Sequence, residues 1–145
     1  MASAPREVVG DLAATAFIEA NPLFRSLDPD ARRDLIELAE LVDHAAGELV
    51  SPEADEAFLL VIEGNASAKV GGVDIAHLGR GATFGEGRVL GHARRWSLVA
   101  VADVTVVSFP APIIAALAER FPKMKKLLEA VHAGREKEAA AKLPA

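Results

Sequence analysis

Leu78-Gly79-Arg80-Gly81-Ala82-Thr83-Phe84-Gly85-Glu86, followed after a gap of seven residues by Arg94-Arg95-Trp96-Ser97-Leu98-Val99-Ala100, is the stretch on which the fold turns. Between residues 79 and 97 neither the helical nor the strand period holds. Glycines at 79, 81, 85, 87 and 91 allow tight turns and bring backbone N–H groups to the surface of the loop. Such a loop can cradle a phosphate, and Arg94 and Arg95 can neutralise it through charge-assisted hydrogen bonds. Glu86, an acceptor only when ionised, needs a donor partner beside an anion, either a hydroxyl or an arginine. A ligand with both a phosphate and a sugar hydroxyl suits this set. On spacing alone, a glycine-rich surface turn with a structural Glu–Arg pair is the favoured reading.

On either side the pattern is regular. Val8, Val9, Leu12, Ala13, Ala16 and Phe17 recur at helical intervals, and Asn21-Pro22 interrupts them. Leu23 to Leu27 form a short apolar bridge. Asp28-Pro29 reads as N-cap and first residue of a second helix, with Leu35, Leu38, Leu41 and Val42 on its inner face. From Gly47 the signal becomes strand: Leu49-Val50, the apolar run Ala57 to Ile62, then Ala66 to Val70 and Val73 to Leu78 around the tight Gly71-Gly72 turn. Leu98 to Ala102 and Val104 to Phe109 make a further pair about Asp103. Beyond Pro110 the helical stripe returns in Ile113, Ile114, Leu117 and Ala118, then in Met124, Leu127, Leu128 and Val131. Residues 135–145 carry almost no apolar stripe and read as a fraying or solvated helix.

The 145 residues make one domain, 51% hydrophobic and 26% charged, which excludes a disordered chain. A net charge of −5 disfavours a general nucleic-acid binder, and the lack of cysteine removes thiol catalysis, disulfides and zinc–thiolate sites. No apolar run is long enough to span a membrane, and the expected setting is cytoplasmic. His44, His77, His92 and His132 stand singly, so neither a metal nor a cofactor is expected, and no nucleophile-elbow motif suggests an enzyme. Trp96 reads first as core and second as a base-stacking group. Lys123, Lys125 and Lys126 read as a solvated face or a patch for an acidic partner. Helices, about eight short strands, then helices give an α+β domain built on an antiparallel sandwich or roll.

The quoted stretch resembles the phosphate-binding cassette of the cyclic nucleotide-binding domain family, roughly Leu-Gly-x-Gly-x-x-Phe-Gly-Glu, a variable segment, then Arg-x-x-Thr/Ser-x-x-Ala. Pro22-Leu23-Phe24-Arg25-Ser26-Leu27, Gly47-Glu48-Leu49-Val50, Val61-Ile62-Glu63-Gly64 and the acidic turn at Asp103 are similar to further family motifs in the same order. The resemblance implies an eight-stranded antiparallel β-roll (a double-stranded jelly roll): N-terminal helices in 1–46, the roll in 47–109 with the cassette at 79–97, and C-terminal helices with a tail in 110–145. It implies a ligand site of Gly85, Glu86, Gly87, Arg88, Arg94, Arg95 and Ser97. There Glu86 would accept from a ribose hydroxyl, Arg94 would pair with the cyclic phosphate, and N–H groups around Gly85, Glu86 and Arg95 would complete the cradle. The C-terminal helices would close over the purine of cAMP or cGMP and report to a separate effector protein, with no DNA or membrane partner.

The sequence departs from the family pattern at several points. Gly87-Arg88 follows Glu86 where small or aliphatic residues are usual, so Arg88 either fills the phosphate space or swings out as a second cation. Arg95 and Trp96 replace small residues and leave the purine preference open. Ser51 to Ala57 forms a shortened hairpin. A roll that has lost its nucleotide and serves as an interaction or oligomerisation module is the alternative, and a homodimer through the last helix stays open.

Overall fold

In the computed structural model, which describes residues 4–92 and 94–144, a β-roll is flanked by helices at both ends. The chain runs through β1 (Arg6–Glu7), α1 (Leu12–Ala20), α2 (Pro22–Arg25), α3 (Pro29–Leu38), β2 (Glu40–His44), β3 (Leu49–Ser51), β4 (Ala57–Glu63), β5 (Ala66–Val70), β6 (Val73–Leu78), β7 (Thr83–Phe84), α4 (Glu86–Leu90), β8 (Ser97–Ala100), β9 (Val104–Pro110), α5 (Ala111–Arg120) and α6 (Pro122–Lys142). The strands form two antiparallel sheets, one ordered β1-β2-β9-β4-β7 and the other β3-β8-β5-β6. Among the described residues that is nine strands, one of them the two-residue β1, where about eight are expected.

The alternation of β4 explains why its apolar run is unbroken. Leu59 and Val61 point into the roll with Ala66, Leu78, Phe84, Leu98 and Val106. Phe58 and Leu60 point the other way, with Val107 and Phe109 of β9, into a second core made with the helices. Phe24 of α2, Leu35 of α3, Ile114 of α5, and Met124 and Leu128 of α6 complete that second core. Phe24 stacks on Phe109 with ring centroids 5.0 Å apart, fixing the N-terminal helices to the sheet.

Two expectations for the N-terminal segment are corrected. Helix α1 begins only at Leu12, capped by Asp11, and turns Ala14 and Ile18 inward while Leu12 is 84% exposed. The expected stripe was one step out of phase because Val8 belongs to the preceding loop. Helix α3 is capped by Asp28 as expected, but Ala39 turns extended and residues 40–44 pair with β9 as a strand. Leu41 and Val42 therefore lie on a sheet, so segment 1–46 is not wholly helical. Burial of Leu41 opposite Val107 outweighs the helical spacing from Leu35 and Leu38. Among the described residues, no helix is long and apolar enough to cross a membrane.

Candidate functional site

The cassette folds into a short strand, a glycine and a helical turn. Leu59 and Leu60 of β4 pair with Phe84 and Thr83 of β7. Gly85 then takes φ 106°, and a Cβ there would stand 2.8 Å from the Ala57 carbonyl oxygen. Only glycine satisfies both conditions, and the sharp turn delivers Glu86 into α4. Having no side chain, Gly85 also leaves the first turn of α4 without a side-chain cap.

Glu86 is 3% exposed. Its Oε2 accepts from the Thr83 hydroxyl, and its Oε1 accepts from Arg135 Nη1 at 3.0 Å. The other arm of that guanidinium donates to the Thr83 carbonyl oxygen at 2.8 Å. The buried carboxylate is thus paired and hydrogen-bonded on both oxygens, the condition under which burial of a charge is tolerated.

Arg94 follows the loop and meets α6. Its Nε lies 2.9 Å from Glu136 Oε1 and 2.8 Å from Oε2. Between these pairs His132 lies over Gly87, where a Cβ would stand 3.2 Å from its Cε1, and stacks on His92 with centroids 4.1 Å apart. Burial first, and then the neighbouring His92, push the His132 imidazole below its ordinary range. Two of the four histidines thus meet in space, though among the described residues no cluster of three metal-ligating side chains forms.

Arg88 does not swing out as a second cation but is bonded within the chain. It donates from Nη1 to Ser51 Oγ at 2.6 Å and to the Ala57 carbonyl at 3.2 Å, and from Nη2 to the carbonyls of Pro52 and Trp96 at 2.8 and 3.1 Å. The guanidinium also sits 5.0 Å from the Phe84 ring centroid. Burial lowers its affinity for the proton. Arg88 therefore ties the shortened β3–β4 connection to α4 and to the approach to β8. Trp96, half-buried against the roll interior, supplies one of the four acceptors through its backbone.

Gly85, Glu86, Gly87, Arg88, Arg94 and Arg95 all line one cavity of about 120 Å³, together with His92, His132 and Arg135. Ser97 stands apart, on β8 opposite Lys69 of β5, and is not among the residues lining that cavity.

The sequence reading passed over Arg135 and Glu136, which it placed in a solvated tail. They continue a helical stripe of changed chemistry, in which Met124, Leu128, His132 and Ala139 are buried, Arg135 bonds Glu86, and Lys142 donates to the Ile75 carbonyl of β6. The spacing of four, four, three, four and three is the signal; it fails a search for apolar residues because three of the six are basic or titratable.

A β-roll with helices at both ends thus carries a glycine-turned Glu–Arg cassette beside one cavity. The sequence pattern described as cyclic nucleotide-binding domain matches residues 41–121, more than half of the chain, and the chain belongs to that family. No curated protein matches it. Among solved structures it is similar to cAMP-bound PfPKA-R, at 19% identity and a TM-score of 0.72 over 88% of this chain and 45% of that one. It is also similar to the regulatory subunit of a cAMP-independent protein kinase A from Trypanosoma brucei, at 17% identity and a TM-score of 0.72, covering 90% and 49% of the two chains. The catabolite activator protein of Thermus thermophilus matches at 28% identity and a TM-score of 0.62, over 83% of this chain and 60% of that one. The chain thus spans about half the length of the two kinase-related neighbours.

Proposed function

We propose that this domain binds a cyclic nucleotide, cAMP or cGMP, at the Glu86–Arg94 cassette and transmits occupancy through its terminal helices to a separate effector protein. The observation that carries the reading is the convergence of a buried acceptor, Glu86, and a cation, Arg94, on one cavity built from a glycine-turned cassette. Glu86 suits a ribose hydroxyl, and Arg94 suits a cyclic phosphate monoanion. Family membership and the cAMP-bound state of one structural neighbour support the same ligand class.

A second reading has an observation of its own. Both groups already have partners within the chain, and one neighbour is described as cAMP-independent, which suits a roll that has given up its nucleotide and serves as an interaction module.

Thermal unfolding with and without excess cAMP, and in parallel cGMP, separates the two. Ligand at 100 times its dissociation constant adds about 2.7 kcal/mol. At this chain length that is a rise of about 5–10 °C. Such a rise, missing in a folded Arg94→Ala variant, supports the sensor, and the nucleotide giving the larger rise names the signal. No rise with either at millimolar concentration favours the interaction module.

A further inference from the structure

His132 of α6 and His92, in the turn after α4, stack with ring centroids 4.1 Å apart, and both line the cassette cavity. Gly87 makes room for them, since a Cβ there would stand 3.2 Å from His132 Cε1 and 3.8 Å from His92 Cβ. The backbone N–H of His92 donates to the Gly87 carbonyl at 2.8 Å, which holds that end of the pair against α4. His132 is buried.

The surroundings of the pair are cationic. Four guanidinium groups line the cavity, those of Arg88, Arg94, Arg95 and Arg135, against the two carboxylates of Glu53 and Glu86. Glu86 is already bonded by Arg135, and Glu136 of α6 meets Arg94. Arg88 donates to a hydroxyl and three carbonyls, none of which carries a formal charge. A proton on either imidazole adds to this excess, and a stacked neighbour makes a second proton costlier still. Burial, His92 and Arg94 accordingly hold the His132 imidazole below its ordinary range, against the pull of Glu136 and Glu86. An anion entering the cavity reverses the balance. An opposite charge within about 4–6 Å favours the protonated imidazole by about tenfold or more.

We propose that the cavity takes up its anionic ligand together with one proton from solvent, carried by the stacked His92–His132 pair, so that the domain binds a cyclic nucleotide more tightly in mild acid than at neutral pH. This rests on the cyclic nucleotide reading above. The sign follows from linkage: a ligand that raises the affinity of a group for its proton binds more tightly as pH falls, and the gain levels off once the ligand-free group is itself protonated. The pair thereby makes the response depend on two inputs, nucleotide and pH.

The test is calorimetric titration of cAMP and of cGMP into the whole chain between about pH 8 and about pH 5.5, for wild type, His92→Gln and His132→Gln. Imidazole proton resonances of the wild type are followed over the same range with and without nucleotide. Wild type is expected to bind about tenfold more tightly at the acid end, with net proton uptake measured in buffers of unlike ionisation enthalpy. In His132→Gln the change over the range is expected to fall below about twofold. Wild-type binding that is unchanged or weaker in acid overturns the proton coupling and leaves the nucleotide reading standing. Imidazole resonances that titrate alike with and without nucleotide overturn the coupling too, and decide the matter if His132→Gln does not fold. No nucleotide bound by the wild type at any pH overturns the nucleotide reading and the coupling with it.

Discussion

Arg135 reaches Glu86 across 49 residues of sequence and closes on it at 3.0 Å, in a site where their side chains are only 13% and 4% exposed. The Thr83 hydroxyl takes the other carboxylate oxygen. This three-residue arrangement fixes the second half of α6 to the cassette. In Glu86→Gln the guanidinium keeps a neutral acceptor and loses its anion. Unfolding in urea is expected to show a loss of about 1–3 kcal/mol. Protection at 134–142 falls in the same variant, while β4 and β9 stay protected.

Arg88 predicts a different failure. Its four acceptors lie at the end of β3, on the β3–β4 connection, at the start of β4 and on the approach to β8, and three of them are backbone carbonyls. A lysine supplies a point charge in place of a planar fork and cannot reach all four. Arg88→Lys is expected to cost about 1–2 kcal/mol and Arg88→Ala about 2–3 kcal/mol, measured by denaturant unfolding. Equal, negligible losses in both would show that the fork does not hold this connection.

Gly64, at the end of β4, takes φ 90°, and a Cβ there would stand 2.1 Å from the Asp103 carbonyl oxygen and 2.7 Å from the Val104 Cα. Both obstacles are backbone, so they move only if the β8–β9 turn moves. That turn is held in place by Asp103 Oδ1, which accepts from the Ala46 N–H at 3.0 Å. Gly64→Ala is expected to destabilise the roll by about 2–4 kcal/mol. A thermal midpoint within a degree or two of wild type would contradict this packing.

His132 makes the fold sensitive to acid. Its pKa is held below the ordinary 6.5 by burial and then by His92 and Arg94, against the opposing pull of Glu136 and Glu86. Between the folded and unfolded values the unfolded chain binds more protons, so stability rises with pH there. It is therefore lost as pH falls through about 6.5 and levels off below the folded value. Stability curves for wild type and His132→Gln should diverge in slope just below that pH, the variant being the flatter. Parallel curves would show that the imidazole titrates as it does in the unfolded chain.

Much of the fold was legible because the roll writes its own punctuation. Gly71-Gly72 turns a hairpin at the expected place, Asp28 caps α3, and the run from Ala57 to Ile62 is a strand buried on both faces. Residues 40–44 were misread because Leu41 and Val42 continue the spacing of α3, and only their pairing with β9, more than sixty residues on, makes them a strand. In the cassette, Gly85, Glu86 and Arg94 stood out through the resemblance to the family pattern, and all three line one cavity. The partners of those charges were not legible. Arg135 and Glu136 sit in a segment that local composition describes as solvated, and their role depends on where a distant helix lies.

Calorimetric titration of cAMP and of cGMP into the wild-type domain and into Arg94→Gln tests the central claim most directly. Saturable binding of one nucleotide per chain, lost in the folded Arg94→Gln variant, is the predicted result. No binding of either nucleotide to the wild type up to millimolar concentration would contradict it.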